Sequence, residues 1–113
     1  MFGRHRQTTF CPTALRVRET LSAAPRPLPA RPRERSRLLE QKLRGADPTS
    51  LAEVVRDLGW HQRTGKATGQ DVRYLRRADR ELTRWLVLQT GDLTPWARRR
   101  MWGLVDRTIA RYV

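Results

Sequence analysis

Few residues in this chain have the types and spacing that catalysis needs. His5 and His61 stand far apart in sequence, and neither has a cysteine or carboxylate at metal-ligand spacing. Cys11 is the single cysteine and lies in a polar stretch without a histidine partner. No intramolecular disulfide can form, which suits a reducing compartment. Glu53 and Asp57 sit one helical turn apart. They are expected to pair with Arg56, Arg63 or a neighbouring helix rather than to work as an acid/base couple. Gly65 and Gly69 follow no strand, so they do not form a loop that cradles phosphate. His61 reads as a solvent-facing cation at a helix end. These residues point away from an enzyme and imply neither a metal nor a cofactor.

The chemistry on offer is cationic. The chain carries 24 basic and 11 acidic side chains, a formal charge of +13. Residues 1–46 hold 11 basic and 3 acidic groups, and residues 47–113 hold 13 and 8, so the excess is spread along the chain and heavier at the front. Only Lys42 and Lys66 are lysine. Codon bias explains arginine over lysine, but it does not explain the surplus over Asp and Glu. Arg31, Arg33, Arg35 and Arg37 recur at every second position. Arg73, Arg76, Arg77 and Arg80 share one face of a helix, because three- and four-residue spacings do. Arg98, Arg99 and Arg100 open a helix, where positive charge opposes the dipole and Asp92 can offset it. Each cluster alone fits a solvated face. Together they favour phosphate, and nucleic acid ranks ahead of an acidic protein or a membrane surface as partner. Of the four tryptophans, Trp85 falls near a buried stripe, while Trp96 and Trp102 fall off theirs. At least one of the latter two is expected to be partly exposed beside arginines, able to stack on a base or sugar or to meet a protein partner.

The elements that position these residues are all helical. Residues 1–13 have no apolar period and are expected to be disordered. A short helix is predicted over 14–24 with Leu15, Val17 and Leu21 inward. Pro25, Pro27, Pro29 and Pro32 then impose an extended linker carrying Arg26, Arg31 and Arg33. Further helices are predicted over about 33–44, 48–63, 69–89 and 95–111. Asp47-Pro48 and Thr94-Pro95 serve as N-cap and first helical residue, Thr68 with Asp71 as a loose capping box, and Gly45 and Gly91 as stops. The fold class is all-α: a compact bundle of four to five helices behind a disordered basic N-terminal segment. Residues 1–32 are assigned to that segment and linker, and 33–113 to the helical domain. No apolar run approaches the roughly 20 residues of a membrane span, and the N-terminus lacks an apolar signal core. A cytoplasmic protein is expected.

Three stretches in combination, RSRLLEQKLRGADP (Arg35 to Pro48), LAEVVRDL (Leu51 to Leu58) and TGKATGQDVRYLRRADREL (Thr64 to Leu82), resemble the C-terminal helical domain of the CarD (CdnL) family of bacterial transcription regulators. The resemblance runs over roughly Leu28 to Ile109. It implies a domain that binds DNA near the upstream edge of the transcription bubble, wedges a tryptophan into the minor groove and stabilises the open promoter complex. In that family a separate N-terminal β module binds RNA polymerase. Residues 1–27 are too short and too rich in proline and arginine to form that module. Pro32 occupies the wedge position, Arg35 and Arg37 match basic positions, and Glu34 and Val72 stand where basic residues are frequent. The expected function is therefore a CarD-like DNA-binding regulator, largely indifferent to base sequence. Arg33, Arg35, Arg37, Arg73, Arg76 and Arg77 are expected on phosphates, with Pro32 as an apolar wedge and RNA polymerase as a further partner. The alternatives are a helical module docking on polymerase or on a separately encoded subunit, or a truncated paralogue with residual DNA affinity.

Overall fold

The computed structural model describes residues 11–45 and 47–112. They form five helices: α1 (Pro12–Ser22), α2 (Pro32–Arg44), α3 (Pro48–Arg63), α4 (Gly69–Thr90) and α5 (Thr94–Ala110). No strand occurs among the described residues. Four of the helices start with proline at the first or second position, where its fixed φ suits the helix and its missing N–H costs nothing. Asp47 caps α3 by accepting from the Ser50 amide at 3.0 Å. α4 opens on a full capping box: the Asp71 amide donates to Thr68 Oγ1 at 3.2 Å, and the Thr68 amide donates to Asp71 Oδ2 at 2.9 Å. Gly65 (φ 77°) turns the chain between α3 and α4. Gly91 (φ 75°) stops α4 with its amide on the Val87 carbonyl at 2.8 Å. Both glycines adopt a left-handed conformation that a Cβ would strain.

α3 is the hub and touches all four other helices. Leu51, Ala52 and every residue from Val54 to Gly59 are buried, so this helix is enclosed almost all round. Around it gather Val17 and Leu21 of α1, Leu39 and Leu43 of α2, Leu75, Ala78 and Leu82 of α4, and Met101, Val105 and Ile109 of α5. Each large side chain buried in this way contributes about 1.5 to 3 kcal/mol. Gly59 permits the close approach of α5. A Cβ there would lie 3.3 Å from both Ile109 Cδ1 and Trp102 Cζ3.

The front of the chain departs from expectation. α1 starts at Pro12, and Leu15 is 58% exposed rather than inward, since it lies opposite the stripe of Val17 and Leu21. The expected disorder of residues 1–13 falls largely outside the described residues. α1 packs on α3 and α5. Thr108 Oγ1 donates to the Leu21 carbonyl at 3.1 Å. The helical unit therefore includes α1, and packing does not divide the chain at residue 32. Trp85 is only partly buried against the core, like Trp60 and Trp102.

Candidate nucleic-acid interface

Two buried arginine–aspartate pairs fix the proline-rich linker and the start of α2. Arg56 and Asp57, adjacent on α3, are 3% and 2% exposed. Arg56 Nε donates to Asp57 Oδ1 at 2.8 Å and its Nη1 donates to the Thr20 carbonyl at 3.0 Å. Asp57 Oδ1 also accepts from the Arg26 amide at 2.9 Å, so this pair clamps the end of α1 and the chain beyond it. The second pair joins Arg35 of α2 to Asp71 of α4 at 2.9 Å. Arg35 Nη1 also donates to the carbonyls of Pro29 (2.9 Å) and Ala30 (3.1 Å). These bonds satisfy linker carbonyls that have no helical partner.

This placement corrects the reading of Arg35. It is 4% exposed and its guanidinium is spent on Asp71 and the linker, so it is not available to phosphate. Sequence could not reveal this, because its partner lies 36 residues away and already had a role as capping residue. Burial raises the Asp71 pKa, but hydrogen bonds from Arg35 and Thr68 outweigh it and hold the carboxyl below its ordinary 3.8.

The other five arginines singled out are exposed. Arg33 and Arg37 stand one turn apart on α2, facing away from buried Leu39 and Leu43. Arg73, Arg76 and Arg77 form a row on α4 that continues through Arg80 and Arg84, opposite the buried Leu75, Ala78 and Leu82. α2 and α4 are neighbours, tied by Arg35–Asp71 and by Tyr74 Oη donating to Glu40 Oε1 at 2.7 Å. Arg77 is engaged with Glu81 at 2.9 Å, and Arg73 leans on Gln70 at 3.4 Å. Arg33, Arg37, Arg76, Arg80 and Arg84 have no ion pair among the described residues. Away from these rows, Lys42 meets Glu53 at 3.3 Å and Arg63 meets Asp106 at 2.9 Å.

Pro32 is exposed at the first turn of α2. It edges a cleft of about 400 Å³ shared with Leu28, Trp60, His61 and Lys66. His61 is not the solvent-facing cation expected from its position at the end of α3. Its Nε2 is buried without a hydrogen-bond partner, 3.7 Å from Asp71 Oδ2. Burial lowers its pKa below 6.5, helped by the positive charges of Arg35 and Lys66 and opposed by Asp71. At the start of α5, Arg98 is held by Asp79 (2.9 Å) and Arg100 by Asp92 (2.8 Å). Arg99 covers the 54%-exposed indole of Trp96 at 5.0 Å from the ring centre. The dipole conflict is thus largely relieved locally. No group of three or more potential metal ligands occurs among the described residues, and none of their helices is long and apolar enough to cross a membrane.

A protein-family model described as CarD, C-terminal domain, matches residues 16–97. The match begins in α1 and ends in the first turn of α5, so it takes in both buried ion pairs and both arginine rows. No curated protein and no solved structure matches the chain.

Proposed function

Because the chain belongs to the CarD C-terminal-domain family, we propose that its transcription-associated role is exerted through DNA, with the outward arginine rows of α2 and α4 on the backbone. The observation that carries this reading is the pair of exposed rows on adjacent helices, in which Arg33, Arg37, Arg76 and Arg80 lack a carboxylate partner among the described residues. Arginines aligned on the outer faces of two adjacent helices suit an external polyanion. Phosphate contacts position a protein without reading bases, so little sequence preference follows. Arg73 and Arg77 complete the set, Arg77 at the expense of its contact with Glu81. Pro32 acts as a small apolar wedge at the bubble edge, a role in which side chains such as proline can part base steps. The domain then modulates open-complex stability at RNA polymerase in the cytoplasm, without catalysis of its own. The direct test measures binding of a labelled promoter fork by the wild type, Arg33→Ala/Arg37→Ala and Arg73→Ala/Arg76→Ala. Loss of affinity in both double variants supports the reading; unchanged binding in both removes it.

A further inference from the structure

A second surface lies away from the arginine rows. α1, the C-terminal half of α4 and α5 enclose a groove of about 260 Å³. Its walls are the partly exposed Leu86 of α4 and Leu104 of α5, over a floor of core residues Val17, Leu21 and Met101, each 1% exposed. Arg18, Arg100 and Arg107 stand around it together with Asp92. Arg100 is neutralised by Asp92 at 2.8 Å, whereas Arg18 and Arg107 are exposed and have no ion pair among the described residues.

We propose that this groove is the docking site for an acidic amphipathic helix of a partner protein. The apolar lining calls for apolar anchors, which a helix supplies at i, i+3 or i+4 and i+7. The two unmatched arginines at its edge call for carboxylates beside those anchors. A nucleic-acid strand fits poorly, because phosphates laid over Leu86 and Leu104 would lose water without gaining a hydrogen bond. A second copy of the chain fits poorly too. A symmetric pairing of this face would set Arg18 and Arg107 against like charges. The groove draws on Leu86 and Thr90 of α4, while the DNA row occupies Arg73 to Arg84, so one molecule can hold both ligands.

The test uses the full chain and a fluorescein-labelled synthetic helix with leucines at i, i+3 and i+7 and glutamates elsewhere. One control peptide has serines for the leucines at the same charge, and another has lysines for the glutamates. The leucine–glutamate peptide binds at least about tenfold tighter than either control, the equivalent of about 1.4 kcal/mol. Arg18→Glu/Arg107→Glu, both at exposed positions, loses that advantage while its circular dichroism is unchanged. Amide shifts on titration fall on Val17, Leu86, Met101 and Leu104. Equal binding of the serine peptide would reduce the effect to net charge and overturn the proposal. Shifts confined to Arg33–Arg84, or sedimentation showing that the groove closes on a second copy, would overturn it as well.

Discussion

A guanidinium buried against a carboxylate and one standing in solvent cost very different amounts to lose. Arg35 and Arg37 are two residues apart, yet Arg35 is enclosed with Asp71 and Arg37 is free. Arg35→Ala should destabilise the fold by about 3 to 5 kcal/mol, because it strands a buried Asp71 charge and two linker carbonyls. Arg37→Ala should change stability by less than about 0.5 kcal/mol. Urea denaturation separates the two, and equal stability would show that Arg35 is not held as described. His61 gives a pH signature. The folded state lowers its pKa, so as pH falls the unfolded chain takes up the proton first. Its contribution is therefore complete above the ordinary value of 6.5 and is lost as pH drops below it. Asp71 acts in a separate, more acidic window: its lowered pKa stabilises above 3.8 and that stability disappears below. The melting temperature should fall between pH 7.5 and 5.5, and His61→Asn should flatten that fall. A variant with the wild-type slope would assign the effect elsewhere. Sequence made the arginines visible as charges but could not rank them, because burial depends on partners far along the chain.

Helix starts and stops were legible at the scale of elements. Prolines at first turns, the Thr68–Asp71 box and Gly91 each act on neighbouring residues, so the structure reproduces them within a residue or two. The inner face of α5, Ala97, Met101, Val105, Thr108 and Ile109, also follows the helical period. α1 was less legible. Its short stripe gives no sign of Thr108 and Arg56, which reach Leu21 and Thr20 from 87 and 36 residues away. The arginine row of α4 was readable from spacing alone; its partnership with α2 was not. Two predictions belong here. Arg33→Ala/Arg37→Ala should reduce the salt slope of DNA binding by up to about 1.8, or 0.9 per phosphate contact, without unfolding α2. Pro32→Trp should tighten binding to a fork more than to a duplex, because an indole offers the larger face for stacking. Equal gains on both substrates would place residue 32 away from the strand junction.

At the scale of the whole molecule, a hub helix and two buried ion pairs hold the basic linker against the bundle. Four further helices then surround α3, and the arginine rows face out on one pair of them. The net charge of +13 gives the chain a long-range pull on polyanions, and on the proposed reading the rows of α2 and α4 are where they land. The most direct measurement is fluorescence anisotropy of a labelled promoter fork and a matched random duplex, titrated across a salt series. Contacts by Arg33, Arg37, Arg73, Arg76, Arg77 and Arg80 predict a log–log slope of about −5.4 on duplex, with the fork bound more tightly. Weak binding to both, insensitive to salt, would contradict the account and leave the arginine rows as a solvated surface.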